Sequence, residues 1–84
     1  MTAQTVEVHL FAAARAAVGR STVDMGPGTL AAILDALQAA HPDFGRVRPQ
    51  CSYLIDGVSP HGDPSTVDLV AGTRLDVLPP FAGG

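Results

Sequence analysis

The chain has 84 residues, a formal net charge of −3 and 46% apolar residues. This composition is typical of one small folded domain, and it excludes the low hydrophobicity and high charge of a disordered chain. All five basic residues are arginines scattered along the sequence, which argues against the basic face that nucleic-acid binders use.

The sequence also bears on the compartment. It has no apolar run that approaches the length of a membrane span, and its first residues lack the charged and apolar regions of a signal peptide. Its single cysteine, Cys51, has no partner within the chain for a disulfide. We therefore expect a cytoplasmic protein that does not bind membranes.

The first element is a strand. Val6, Val8 and Leu10 alternate with Glu7 and His9, which is the period-two pattern of a half-buried strand. The Ala-rich segment 12–19 predicts a short helical turn or a wide loop, and segment 21–25 predicts a second strand. Segment 26–28, Gly-Pro-Gly, predicts a turn.

One amphipathic helix is the clearest element of the sequence. Thr29 is a suitable N-cap, and Pro42 predicts that the helix ends near Ala40 or His41. Four aliphatic residues between these limits recur at i, i+3, i+4 and i+7. They are Leu30, Ile33, Leu34 and Leu37.

The second half of the chain predicts two further strands. Segment 42–50 is polar and broken by glycine and proline, which predicts a loop, and segment 51–55 predicts a strand ended by the turn Asp56-Gly57. Segment 66–70 fits either a short edge strand or a single turn. Segment 74–78 alternates again and predicts a last strand with Leu75 and Val77 facing inward.

This order of elements predicts an α+β fold with a mixed sheet of four to five strands and one main helix packed across one face. With the first and last strands central and parallel, the arrangement is a β-grasp, the ubiquitin-like fold. We expect residues 1–78 to form this domain and residues 79–84 to form a flexible tail.

The tail carries the chemistry that the sequence predicts. Pro79 and Pro80 end strand pairing and stiffen the exit, and the four residues beyond them span about 13 Å when extended. Glycine has no Cβ, so Gly83 and Gly84 fit a channel too narrow for other residues. The Gly84 carboxylate would need activation, most simply adenylation, before a sulfur or nitrogen nucleophile attacks it.

Three stretches of the sequence resemble the small subunit of molybdopterin synthase, a ubiquitin-like sulfur carrier related to the thiamin thiazole carrier. Residues 10–19 resemble the first strand and helical stretch of that family, and residues 29–37 its single helix. Residues 77–84, ending Pro79-Pro80-Phe81-Ala82-Gly83-Gly84, are similar to its closing Pro-Pro-x-x-Gly-Gly.

This resemblance implies a function and two partners. A ubiquitin-activator-like enzyme would adenylate Gly84 with ATP, and sulfur would be installed there as a thiocarboxylate, a 1-thioglycine. The tail, from Pro79 through Gly83, would then thread into the large synthase subunit within a heterotetramer. Sulfur would pass to cyclic pyranopterin monophosphate in molybdenum cofactor biosynthesis, with no cofactor bound permanently and no catalysis by this chain alone.

Three residues form a candidate partner-binding surface. Phe11 and Leu78 have the outward parity of the first and last strands, so they would lie side by side on the sheet face away from the helix. Arg15 follows closely and could pair with an acidic partner residue. The matching positions of the family face its partner.

Other polar residues predict no catalytic or metal site. Cys51 starts an apolar strand without a CxxC or Cys–His motif, which favours a small core residue. The three histidines, His9, His41 and His61, lie on different elements without metal-ligand spacing.

Three alternatives remain open at this stage. The chain could carry sulfur for thiamin thiazole or cysteine synthesis, it could be a ubiquitin-like protein modifier joined through Gly84 to lysines, or it could be a binding module with an inert tail.

Overall fold

The structure is a computed structural model that describes residues 4–80 of the chain. Its main feature is a four-stranded sheet in the order β2-β1-β6-β4, and two further strands, β3 and β5, pair separately. The strands are β1 (Val6–Leu10), β2 (Thr22–Met25), β3 (Gly28–Thr29), β4 (Ser52–Ile55), β5 (Asp68–Leu69) and β6 (Arg74–Leu78).

The central pair of the sheet is parallel, as the sequence predicts. β1 and β6 run in the same direction with Leu10 opposite Val77, while β2 and β4 pair antiparallel on the outside. The alternating residues of β1 and β6 that were expected to face inward are buried. These findings, with the helix below, confirm the α+β ubiquitin-like fold.

The main helix, α2 (Leu30–Ala40), begins and ends where its sequence predicts. Thr29 caps it, because its Oγ1 accepts a hydrogen bond of 3.0 Å from the Ala32 backbone N–H. The four residues of its apolar stripe are at most 3% exposed and share one core with the inner face of the sheet. The face of the sheet opposite α2 is hereafter the open face.

The Ala-rich segment after β1 is a true helix, α1 (Ala12–Val18), which was one of the two predicted alternatives. It ends at Gly19, whose backbone adopts φ 81° and whose N–H donates to the Arg15 carbonyl at 2.8 Å. Glycine suits this position because a left-handed backbone is costly for residues with a Cβ.

Two short segments differ from the prediction. Residues 42–50 are not a loop: they form the one-turn helix α3 (Phe44–Val47) and the 3₁₀ turn Arg48–Gln50. Phe44 is 0% exposed and belongs to the core. The pattern failed because one aromatic residue among glycine, proline and arginine shows no periodicity. Gly28 was predicted in a turn, but it pairs with Leu69 between β3 and β5.

The turn after β4 follows its sequence closely. Asp56 and Gly57 adopt φ values of 47° and 84°, and Ile55 and Val58 exchange backbone hydrogen bonds of 2.8 and 3.0 Å across them. Two successive positive φ angles give the tight hairpin turn that the Asp-Gly pair favours.

Candidate functional site at the end of the central strands

The candidate site lies where the parallel strands β1 and β6 both end, because the tail leaves the domain there. α1 starts directly after β1, and the chain enters β4 from α3 and the 3₁₀ turn at the same end. Contacts between α1 and α3 join these two segments. We call this end of the sheet the exit edge.

A small apolar hollow lies at the exit edge. Its volume is about 80 Å³, and its lining includes Ala12, Ala13, Val47, Leu78, Pro79 and Pro80. Small-molecule sites usually measure roughly 300–1,000 Å³, so this hollow is too small to hold a substrate or nucleotide. Its apolar lining is instead suited to contact with another protein surface.

The structure places Phe11 and Leu78 side by side, as the sequence predicts. Leu10 is paired with Val77, so Phe11 and Leu78 are next in register, and the Phe11 N–H donates to the Val77 carbonyl at 3.1 Å. Both residues are half-buried, and neither belongs to the core cluster. Arg15 is exposed on α1.

A third apolar residue of this surface, Leu54, was missed by the sequence analysis. Tyr53 and Ile55 pack against the core, so Leu54 between them points to the open face, where it is half-buried. It pairs with Asp76 and is therefore a diagonal neighbour of Leu78. The alternation within segment 51–55 was the signal that could have identified it. We call Phe11, Leu54 and Leu78 the apolar patch.

The rest of the open face is charged. The Glu7 carboxylate lies 2.5 Å from His9 Nε2, and Arg74 Nε donates to the Asp76 carboxylate at 2.8 Å. These residues occupy β1 and β6 closer to the far end of the sheet. The open face thus divides into an apolar half beside the tail and a charged half away from it.

The tail residues themselves are described only in part. Pro79 and Pro80 follow β6 and are exposed. The predicted roles of Phe81, Ala82, Gly83 and Gly84, and with them most of the predicted 79–84 tail, lie outside the described residues.

Two titratable side chains near the exit edge, those of Cys51 and Tyr53, keep their protons at neutral pH. The Cys51 Sγ–H donates to the Val47 carbonyl at 3.2 Å, and burial raises the pKa of this thiol. The Tyr53 hydroxyl donates to the Arg48 carbonyl at 3.3 Å, and burial raises the pKa of Tyr53 to about 12. Neither group is an activated nucleophile at neutral pH, and Cys51 packs against the core as expected.

Residues 4–80 contain neither a cluster of metal-binding side chains nor a membrane-spanning helix. No group of three or more His, Cys, Asp or Glu side chains in this range is placed to hold a metal ion. No helix in the same range is both long and apolar enough to cross a membrane.

Comparison with known proteins gives one family and several related structures. The model of the ThiS family matches residues 8–84. The crystal structure of SAMP1 from Haloferax volcanii, a small archaeal modifier protein, is similar at 30% identity and a TM-score of 0.75, covering 95% of this chain and 99% of that one. No curated protein sequence matches.

Two more distant structures share the fold. A putative molybdopterin converting factor subunit 1 from Pyrococcus furiosus is 16% identical with a TM-score of 0.79, covering 92% of this chain and 98% of its own. A complex of molybdopterin-converting factor subunits 1 and 2 from Helicobacter pylori contains a chain that is 19% identical with a TM-score of 0.68, covering 95% of this chain and 99% of its own.

Proposed function

The chain belongs to the ThiS family of ubiquitin-like sulfur carriers, and on this premise we propose that it carries sulfur on Gly84 for molybdopterin synthesis. The observation that carries the proposal is the place where the chain leaves the domain toward the tail. The family match extends through Gly83 and Gly84, and the segment that leads to them leaves a central strand through the exposed Pro79-Pro80 pair. A folded domain thus carries the Gly-Gly motif directly after an exposed exit segment.

The proposed chemistry takes place at the Gly84 carboxyl group. A carboxylate oxygen attacks the α-phosphate of ATP on an adenylating enzyme, and pyrophosphate leaves. A sulfide sulfur then attacks the activated carbonyl carbon, AMP leaves, and a thiocarboxylate remains. This sulfur is a nucleophile at the tip of the tail: it attacks an electrophilic carbon of the acceptor and displaces a leaving group there. Water then hydrolyses the resulting thioester, which leaves the sulfur on the acceptor and returns the Gly84 carboxylate for another cycle. The chain supplies the carrier and its partners supply the catalysis.

The proposed sulfur acceptor is cyclic pyranopterin monophosphate, and the proposed partner is the large subunit of molybdopterin synthase, which would take in the tail within a heterotetramer. The H. pylori complex supports a partner of this kind, because there a chain with the same fold is bound to subunit 2 of the converting factor. The apolar patch is suited to such a contact, since it lies beside the start of the tail and its three residues are only half-buried within residues 4–80.

The first experiment tests the carrier chemistry by intact-protein mass. Purified chain is incubated with a ubiquitin-activator-like adenylating enzyme, ATP and a sulfide source. We expect the mass change of one oxygen replaced by one sulfur, located at Gly84 by fragmentation. A variant with one alanine added after Gly84 is the matched control and should stay unmodified. An unchanged mass under conditions that charge a known carrier would refute the proposal.

A second experiment tests the pathway. The charged chain is mixed with the large molybdopterin synthase subunit and cyclic pyranopterin monophosphate, and molybdopterin is measured as its fluorescent oxidation product. Sulfur delivered instead to a thiazole synthase or a cysteine synthase in parallel reactions would assign the chain to one of those pathways and overturn the molybdopterin assignment.

A protein-modifier function is the second candidate, and the relation to SAMP1 favours it. In that case the activated Gly84 carbonyl would be attacked by a lysine amine of a target protein, and an isopeptide bond would form. The chain has no lysine, so it could not form chains of itself through lysine side chains. Remnants of segment 75–84, linked through Gly84 to target lysines and found after proteolysis of proteins from cells that express the tagged chain, would establish this function.

A further inference from the structure

The charges of this acidic protein are unevenly distributed over the domain. Segments 11–21, 43–52 and 78–80 build the exit edge, and they hold four of the five arginines but only one of the eight acidic residues, Asp43. The remaining sequence holds the other seven acidic residues and a single arginine, Arg74. A net charge of −3 therefore conceals an arginine-rich exit edge, while the other acidic residues are spread over the rest of the domain and one of them, Asp35, is bonded to Arg48 of the exit edge.

Three arginines of the exit edge are available for contact. Arg15 on α1, Arg20 between α1 and β2, and Arg46 on α3 are all exposed, and none makes a salt bridge with another residue in the range 4–80. Arg48 differs, because it is half-buried and bonded to Asp35 at 2.8 Å and to Gln38 at 3.0 Å. We call Arg15, Arg20 and Arg46 the basic rim.

The basic rim is a product of the tertiary structure. Its members are spread over 32 positions of the sequence, from 15 to 46, and the segments that carry them lie at one end of the sheet, where α1 contacts α3. Ala12, Ala13 and Val47, neighbours of the rim in α1 and α3, line the apolar hollow at the base of the tail. An apolar centre beside unpaired charge is the common composition of a protein-binding surface.

We propose that the basic rim docks onto an acidic surface that surrounds the tail-binding channel of the adenylating enzyme. This inference rests on the proposed function and adds to it the charge of the partner surface. Opposite charges at the rim orient the encounter so that the exit edge approaches first, because the more acidic remainder of the domain is repelled by the same surface. The rim thus governs association, and the chemistry stays at Gly84.

The first test measures how fast Gly84 is converted to the thiocarboxylate in a variant whose basic rim has lost its positive charges. The triple variant Arg15→Gln, Arg20→Gln, Arg46→Gln lowers the net charge by three. The matched control, Gln4→Glu, Ser59→Glu, Ala71→Glu, lowers it equally at exposed positions of the far end. With the adenylating enzyme, ATP and sulfide, the rim variant should lose about tenfold in kcat/KM at low salt while keeping its kcat.

The dependence of these rates on ionic strength shows whether the effect of the rim is electrostatic. The difference between wild-type chain and rim variant should shrink as ionic strength rises, and the control should stay within about twofold of wild type because its changes lie far from the interface. Equal rates for the rim variant and wild type would overturn the inference and leave the carrier function intact. Equal losses in the rim variant and the control would also overturn it, since net charge alone would then explain the effect.

A second test does not depend on charging. Hexaglutamate is titrated into ¹⁵N-labelled chain, and amide shifts are followed by NMR. Amide shifts that concentrate in segments 11–21 and 43–50, and that are lost in the rim variant, support binding of acidic side chains by the basic rim. This result does not depend on the conversion of Gly84 to the thiocarboxylate. Shifts spread over the surface, or none at all, would overturn it.

Discussion

The backbone N–H of Phe11 donates a hydrogen bond of 3.1 Å to the carbonyl of Val77. This bond extends the parallel pairing of the central strands one residue beyond Leu10, and Ala12, with φ 53°, then turns the chain into α1. Phe11 is therefore held beside Leu78, at the last position before the tail. A partner that binds the apolar patch therefore also meets Pro79, where the tail begins.

We expect Leu78→Asp to weaken binding of the large synthase subunit by about 2 kcal/mol or more, because it puts a charge into the centre of an apolar contact. Leu78 is half-buried and lies outside the core, so the domain should still fold. Calorimetric titration measures the affinity, and circular dichroism checks the fold.

Val70→Asp is the control for this substitution, because Val70 is 68% exposed and lies away from the exit edge. It should bind like wild type. Unaltered affinity in folded Leu78→Asp protein would remove Leu78 from the interface.

Phe44 provides a test of the core. It is 0% exposed, and Phe44→Ala leaves a cavity beneath α3, so we expect a loss of about 3–5 kcal/mol in the free energy of unfolding. Urea denaturation measures the loss. Val70→Ala, at an exposed position, should change stability by less than about 0.5 kcal/mol. A comparably small effect at Phe44 would mean that residues 42–50 do not close the core.

Gly19 tests the end of α1. Its φ is 81° and an added Cβ would meet no atom within 4 Å, so Gly19→Ala isolates the backbone cost. We expect a loss of about 1 kcal/mol in thermal or urea unfolding. Gly26→Ala is the matched control, because Gly26 has the same open space without a positive φ in the left-handed region, and it should not destabilise. Equal effects of the two substitutions would contradict the left-handed cap.

The raised pKa of Tyr53 predicts how the free energy of unfolding depends on pH. Burial raises its pKa to about 12, against an ordinary value of 10.0, so between these values the folded state keeps a proton that the unfolded state has lost. The contribution of Tyr53 to the free energy of unfolding is therefore complete below pH 10 and is lost as pH rises toward 12. Urea unfolding should show stability falling more steeply over this range in wild type than in Tyr53→Phe. Parallel pH profiles would exclude the effect.

Much of the fold could be predicted because its signals are local. The stripe of α2 and the alternation of β1 and β6 each depend on residues less than eight positions apart, and burial follows directly from such periods. Thr29 and the Asp56-Gly57 turn were predictable for the same reason, since caps and tight turns depend on the intrinsic preferences of one or two residues.

The candidate site was predictable only in part. Parity placed Phe11 and Leu78 on one face once the strands were assumed to be neighbours, and the structure has them in adjacent register. Leu54 joined them only through the pairing of β4 with β6, which brings together residues more than twenty positions apart. Roles at Gly83 and Gly84 were inferred from the motif and lie outside the described residues.

By itself, therefore, the sequence determined the β-grasp class, the bounds of α2 and the Gly-Gly motif that identifies the tail, because periodicity, capping and motif are properties of neighbouring residues. Only the tertiary structure decided that Phe44 closes the core, that Leu54 completes the apolar patch and that the segments carrying three distant arginines lie at the end of the sheet where the chain leaves. These features depend on contacts between segments far apart in the chain, and no local pattern encodes which segments will meet.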